Sequence, residues 1–286
     1  MSRLTDPKYL KEILSRHGIV LTKARGQNFL TNPSVCPQMA DMCGATENDG
    51  VIEIGPGVGV LTEQLAKISK KTVAIELDSG LIPVLGETLK DYDNVKVIHE
   101  DALKIDLKKL VQDEFDGGEV YLCANLPYYI TTPILMKLLE DKIPLTAITV
   151  MVQKEFADRI CAKVGSRQSG AVTAAVAYYA ECERLFRVSP GSFFPPPKVE
   201  SEVIRLIPHK EPPVKVNNEK HFFSIIKAGF AQRRKTLTNA LLSGANIPKE
   251  TTAAALEKMG LSSGARIEEL SLSQIGELSN LVYENQ

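Results

Sequence analysis

Chemistry in this 286-residue chain is concentrated in a few short stretches, and the most specific is Asn125-Leu126-Pro127-Tyr128. A side-chain amide oxygen followed by a backbone carbonyl can accept both N–H bonds of an exocyclic amine. Such an amine is a poor nucleophile, because its lone pair is delocalised into the aromatic ring. Hydrogen bonds accepted from its N–H groups favour a pyramidal nitrogen whose lone pair is free to attack. Pro127 stiffens the segment and fixes the direction of the preceding carbonyl. Tyr128 supplies a ring on which a base swung out of its stack can lie. The bland alternative is an ordinary Asn/Pro turn, which the other motifs of the chain disfavour.

A second stretch, Val51-Ile-Glu53-Ile-Gly55-Pro-Gly57-Val-Gly59-Val-Leu-Thr62, reads as a strand entering a tight Gly-rich turn and then a helix. Glycines there allow positive φ and close approach of the backbone to a ligand. The spacing is G-x-G-x-G; the dinucleotide fingerprint would need a small residue at position 60, which is Val. Glu76 follows 21 residues after Gly55, at the end of the next predicted strand, where a carboxylate can accept ribose hydroxyls. Asp101 stands at the matching place after the third strand and can bond an adenine amine. Each feature alone has an ordinary structural reading. Three at successive strand ends point to a nucleoside-containing cofactor, since open parallel sheets bind ligands at those ends.

The elements needed to position these residues are legible. Apolar runs at Val51–Ile54, Thr72–Leu77, Val95–His99, Val120–Ala124 and Ile148–Val152 alternate with helical stretches, as in βαβ units. Leu61, Leu65 and Ile68 recur at helical spacing, and Thr132-Pro133 reads as an N-cap with Pro at the first helical position. Ala171–Phe186 and Glu202–Ile207 read as further strands around the Pro-rich turn Ser189–Pro197, forming an antiparallel hairpin at the sheet edge; Tyr178 and Tyr179 then pack on the sheet. After a linker at Pro208–Pro213 the sequence turns helical, at about 218–232, 234–243, 249–259 and 273–284. The expected fold is α/β: a doubly wound, mostly parallel sheet over residues 1–208, then a small helical domain over 209–286.

Bulk properties exclude several classes. The chain is 44% hydrophobic and 24% charged, which is ordinary for a globular protein. It has no apolar run of transmembrane length and no secretory signal, so a cytoplasmic location with no membrane partner is expected. Five cysteines without a C-x-x-C pair argue against a disulfide framework or zinc site, and His17, His99, His209 and His221 show no metal spacing. A net charge of −1 gives no global nucleic-acid signal. Six Lys/Arg against two Asp/Glu in residues 1–30, and nine against six in 154–210, can form local phosphate-neutralising patches or merely solvated faces.

On these motifs the chain resembles the ribosomal RNA adenine dimethyltransferase family, over nearly its whole length. The resemblance runs through Gly26-Gln-Asn28-Phe-Leu30, Glu53–Gly59, Glu76, Asp101, Asn125–Tyr128, Phe193-Phe-Pro-Pro-Pro-Lys-Val-Glu-Ser201 and Gln232-Arg-Arg-Lys-Thr-Leu-Thr-Asn239. It implies a Rossmann-like class I methyltransferase fold and S-adenosylmethionine as methyl donor, with no metal. By resemblance, Asn28 and Leu30 close over the cofactor, and Gly55, Glu76, Asp101 and Asn125 contact it. Asn125 and Leu126 also face the target amine, with Tyr128 and Phe193 flanking the flipped adenine. Phe194 falls where many relatives have a smaller residue, which leaves the choice of stacking ring open. Tyr129 departs from the Asn that many relatives carry.

The resemblance further implies N6,N6-dimethylation of two adjacent adenosines near the 3′ end of 16S rRNA in the 30S subunit, linked to ribosome biogenesis. RNA is expected to enter over the groove between the domains, and Arg233, Arg234 and Lys235 are candidate phosphate contacts. Nothing requires more than a monomer. Alternatives weighed against this are a large-subunit RNA methyltransferase of the macrolide-resistance type, an RNA-binding assembly factor with secondary catalysis, a nicotinamide oxidoreductase and a DNA adenine methyltransferase. The glycine spacing disfavours the third, and the lack of a sizeable base-reading element disfavours the fourth.

Overall fold

The computed structural model describes residues 3–19 and 28–285. In chain order the elements are α1 (Pro7–Arg16), β1 (Phe29–Leu30), α2 (Val35–Cys43), β2 (Gly50–Ile54), α3 (Val60–Ile68), β3 (Lys71–Glu76), α4 (Leu81–Thr88), β4 (Val95–His99), α5 (Leu107–Glu114), β5 (Val120–Asn125), α6 (Thr131–Glu140), β6 (Ala147–Gln153), α7 (Lys154–Ile160), α8 (Ala171–Tyr179), β7 (Ala180–Val188), β8 (Phe193–Phe194), β9 (Ser201–Pro208), α9 (Glu219–Ala231), α10 (Leu237–Ala245), α11 (Lys249–Lys258) and α12 (Leu272–Glu284). Contacts divide them into two compact units: Met1–Ala157 with Glu183–Pro208, and Asp158–Cys182 with His209–Gln286.

The first unit holds a seven-stranded sheet in the order β4-β3-β2-β5-β6-β9-β7. Strands β2 to β6 are mutually parallel where paired, and β9 runs antiparallel to β6. Every residue of β2 is buried, as expected of a central parallel strand covered by helices on both faces. Winding runs outward from β2 to β4 on one side and from β5 to β6 on the other, so the connections reverse between β2 and β5. That is the position at which doubly wound sheets open a crevice at their carboxyl ends. One continuous apolar core, including Leu10, Met39, Val51, Leu65 and Met151, ties the helices to this sheet.

The five apolar runs are the strands β2 to β6, each within one residue of its expected bounds. The helix after β5 differs at its start. It begins at Thr131 with Ile130 as cap, so Thr132 is not the N-cap and Pro133 lies within the first turn; the Thr131 hydroxyl instead donates to Pro127 O at 3.2 Å.

The larger correction is α8. Residues 171–179 form a helix, not the first half of a strand, and the strand begins only at Ala180. Tyr178 and Tyr179 consequently pack on helix α9, where Tyr179 stacks on Phe223 with ring centroids 5.3 Å apart and Tyr178 meets Phe222 at 5.0 Å. The segment Asp158–Cys182 thus clusters with the helical unit, whereas the sequence suggested a single boundary near 208.

Within that helical unit α10 lies close to α9: a Cβ on Gly244 would come within 2.7 Å of the Ala228 Cβ. Cys161 and Cys182 are disulfide-bonded, with Cα atoms 5.5 Å apart, contrary to the expectation drawn from the lack of a C-x-x-C pair. Their 21-residue separation is bridged because the chain returns beside α7 after completing α8. Among the described residues no helix is long and apolar enough to cross a membrane.

Candidate active site

A cleft of about 470 Å³ opens at the carboxyl ends of the parallel strands. Its walls include Asn28, Leu30, Gly55, Glu76, Asp101, Asn125, Leu126, Tyr128 and Phe193. All nine cofactor and base-pocket residues expected from sequence are therefore brought to one cavity. Gly26 and Gln27 of the first motif lie outside the described residues.

The floor is the Gly-rich turn between β2 and α3. Gly55, Gly57 and Gly59 take φ of +71°, +62° and +91°, a region that side-chain-bearing residues rarely adopt, which explains why the spacing alternates strictly. Gly55 N–H donates to Ile75 O at 2.9 Å, joining the turn to the neighbouring strand.

Glu76, at the end of β3, is largely buried. One of its carboxylate oxygens accepts from Gly57 N–H (3.3 Å) and the other from Asp78 N–H (2.8 Å), so the acid is held against the turn. Burial pushes its pKa up. Asp101, beyond β4, accepts from Leu103 N–H at 3.0 Å through Oδ1, which fixes the orientation of the carboxylate.

Glu53 sits beneath these residues, in β2 and also in the cleft wall. It is 1% exposed, and among the described residues its Oε2 has no hydrogen-bond partner. Burial, together with the nearby Glu76 carboxylate, pushes its pKa up to about 8. A buried carboxylate with an unmet acceptor in a binding cleft calls for a cationic or N–H-rich ligand group.

Across from the turn, β5 ends at Asn125 and delivers the Asn-Leu-Pro-Tyr loop. Pro127 O accepts from Ile130 N–H at 3.1 Å, closing this loop onto α6. The two loops nearly touch: a Cβ on Gly55 would lie 3.6 Å from Pro127 Cδ. Tyr128 shares a 2.8 Å hydrogen bond with the hydroxyl of Ser201, which is fully buried at the start of β9. Since Ser201 is paired with Gln153 of β6, the ring is tethered to the sheet itself.

A two-stranded ladder forms the remaining wall, with Leu30 opposite Phe193 and Phe29 opposite Phe194. The carbonyl of Ser192 accepts from Thr31 N–H (2.9 Å) and Asn32 N–H (3.2 Å), which locks the ladder at one end. Phe29 lies over Gly57. Phe193 faces the cleft, whereas Phe194 does not line it and carries the ammonium of Lys11 4.7 Å from its ring centre.

The tethering Ser201 and the bracing Ser192 were not assigned roles from sequence. Ser201 had a signal only as the last residue of the Phe193–Ser201 motif, and Ser192 had none.

The basic triplet lies elsewhere, in the turn between α9 and α10 rather than in a helix. Arg233 is committed within its own unit: it donates to Glu268 at 2.7 and 3.0 Å and to Arg167 O at 2.7 Å. Arg234 and Lys235 are exposed.

Comparison with known proteins agrees with this geometry. A family model described as "Ribosomal RNA adenine dimethylase" matches residues 21–284. The chain is 46% identical over 283 residues to the ribosomal RNA small subunit methyltransferase A of Geobacillus thermodenitrificans, covering 97% of this chain and 96% of that protein. It is also 46% identical over 287 residues to the protein of that name from Bacillus licheniformis, covering 98% of each. Among solved structures it is similar to a dimethyladenosine transferase from Plasmodium falciparum, at 26% identity and a TM-score of 0.72, covering 87% of this chain and 95% of that one. It is also similar to the 23S rRNA methyltransferase ErmE, at 25% identity and a TM-score of 0.68, covering 90% and 100%. With a Rossmann-like sheet, a strand-end cleft and a family match over nearly all of its length, the chain belongs to the ribosomal RNA adenine dimethylase family and is a methyltransferase.

Proposed function

We propose that the chain transfers methyl groups from S-adenosylmethionine to N6 of two adjacent adenosines near the 3′ end of 16S rRNA, in the small ribosomal subunit. We place it in the cytoplasm, acting as a monomer and as part of ribosome biogenesis. The observation that carries this reading is the near-contact of the Gly-rich turn with the Asn125–Tyr128 loop inside one cleft. A cofactor seated on the first and an amine held by the second are forced together, and positioning of this kind is worth several orders of magnitude in rate.

S-adenosylmethionine supplies a methyl group on a positively charged sulfur, so the protein needs no nucleophile of its own. Glu76 receives the ribose hydroxyls, with its carboxylate already oriented by two backbone N–H groups. Asp101 takes the adenine amine of the cofactor, and Leu30 of β1 and the preceding Asn28 close over it. The unmet oxygen of Glu53 suits the cationic end of the same molecule.

On the acceptor side, the Asn125 side-chain oxygen and Leu126 carbonyl accept the two N–H bonds of the target amine and direct its lone pair toward the methyl group. Tyr128 and Phe193 hold the flipped base between two rings, and the inward placement of Phe193 favours it over Phe194 for that task. Arg234 and Lys235 contact RNA phosphate, with Arg233 as the residue that shapes their turn.

The choice of the small subunit rests on relatives at 43–46% identity that are named small subunit methyltransferases, against 25% for ErmE. The test is transfer of labelled methyl groups to purified unmethylated 30S and 50S subunits, followed by nucleoside analysis. Dimethyladenosine confined to 16S rRNA is expected; label in 23S rRNA would move the substrate to the large subunit.

A further inference from the structure

Tyr129 is 72% exposed, the highest value among the large apolar side chains of the described residues, yet it lies on the wall of the catalytic cleft. It follows Tyr128 directly, and the two rings have opposite surroundings. Tyr128 is drawn inward by its hydrogen bond to Ser201, whereas Tyr129 meets solvent over most of its surface. Leu77, at the end of β3 on the opposite side of the cleft, is also 57% exposed, so the mouth carries apolar surface on both sides. An exposed aromatic ring contributes little to folding. At the mouth of a base pocket it has a specific use. Extruding a base from its stack leaves the neighbouring base with one bare face, and this unstacking is part of the cost of flipping. A ring just outside the slot can cover that face, as aromatic side chains do throughout single-stranded nucleic-acid recognition.

We propose that Tyr129 forms a second base subsite, on which the nucleobase flanking the flipped adenosine stacks during methyl transfer. The subsite rests on the proposed reading of Asn125 and Tyr128 as the base pocket. Its ligand is a purine of the RNA chain, which in a pair of adjacent target adenosines is the second adenosine of the pair. Stacking does not need the tyrosine hydroxyl, so the ring alone should suffice.

The experiment measures methyl transfer to unmethylated small ribosomal subunits by wild type, Tyr129→Ala and Tyr129→Phe, together with S-adenosylhomocysteine affinity. Loss of one base stack raises KM for the subunit about tenfold in Tyr129→Ala. Tyr129→Phe should stay near wild type, and cofactor affinity should not move in either variant. The decisive arm uses subunits reconstituted with 16S rRNA in which one adenosine of the target pair is abasic, with transfer to the other adenosine followed. Removing the base should raise KM for wild type and leave Tyr129→Ala unchanged. An equal effect of the abasic site on both proteins, or a Tyr129→Phe defect as large as that of Tyr129→Ala, would overturn the subsite alone. A wild-type protein that methylates no small subunit would overturn the base-pocket reading and the subsite with it.

Discussion

Replacing Glu76 by Ala tests the cofactor half of the site most directly. Each carboxylate oxygen already accepts one backbone N–H, from Gly57 and from Asp78, and keeps a further lone pair, on a residue that lines the cleft. If those lone pairs receive the two ribose hydroxyls, the variant loses two hydrogen bonds to a charged acceptor, worth about 1.5 kcal/mol each at the lower end of the usual range. The lower end applies because the cleft is open to water. The sum, about 3 kcal/mol, is a loss of roughly a hundredfold in affinity. Glu76→Gln retains one acceptor but must turn its amide toward a backbone N–H, and should lose about half of that free energy. Calorimetric titration with S-adenosylhomocysteine measures both losses, and filter binding to small subunits serves as the control, since RNA should bind nearly as before. An Ala variant that binds S-adenosylhomocysteine within threefold of wild type would refute the ribose assignment. Equal loss of cofactor and RNA affinity, with a fall in melting temperature, would show that Glu76 only braces the turn.

Asn125→Ala should nearly abolish methyl transfer and leave S-adenosylhomocysteine affinity much less affected; equal loss of both would contradict its role toward the amine. Ser201→Ala frees the Tyr128 ring and should lower transfer about tenfold. Because both changes break one hydrogen bond, Ser201→Ala combined with Tyr128→Phe should be no worse than either alone, and additive losses would argue against the tether. Glu53 has a pKa of about 8 in the folded protein against an ordinary value near 4.5, so between those values the folded state holds a proton that unfolding releases. Its stabilising effect is therefore complete below pH 4.5 and is lost as pH rises toward 8. Glu53→Gln should gain about 3 kcal/mol over wild type between pH 6 and pH 9 in urea unfolding, and parallel curves would rule out the buried proton.

What the sequence displayed, and what it hid, follows from the range of the interactions. The Gly-rich turn, Glu76, Asp101 and Asn125 are legible because each is set by local backbone needs at a strand end, and the strands themselves are continuous apolar runs. Helix α8 was misread because AVTAAVAYY is apolar on all sides. A helix packed against α9 through Tyr178 and against α12 has no polar face to reveal its period, and its Val, Thr and Tyr content favours a strand reading. The bond from Tyr128 to Ser201 spans 73 residues and depends on β9 being inserted antiparallel beside β6, which no local pattern announces. The β1–β8 ladder is two residues long on each side, too short to carry any periodicity. The Cys161–Cys182 pair was missed because its proximity depends on where α8 turns the chain back.

On the proposed roles, the reversal of winding between β2 and β5 explains why two half-sites of different chemistry meet. Strands β2, β3 and β4, on one side of the reversal, end in Gly55, Glu76 and the loop bearing Asp101, all suited to a nucleoside cofactor. Strand β5, on the other side, ends in Asn125 and the acceptor loop. Only at the reversal do loops from the two sides face each other, and there the Gly55 backbone meets Pro127. A side chain at position 55 would need an unfavourable φ, and its Cβ would already fill the van der Waals space against the proline ring, 3.6 Å from Cδ. The β1–β8 ladder then adds a wall that neither side provides, since Leu30 with the preceding Asn28, and Phe193 on the facing strand, all line the cleft. If the proposed roles hold, Leu30 against the cofactor and Phe193 against the base are direct partners in one ladder, so binding at one is expected to be felt at the other.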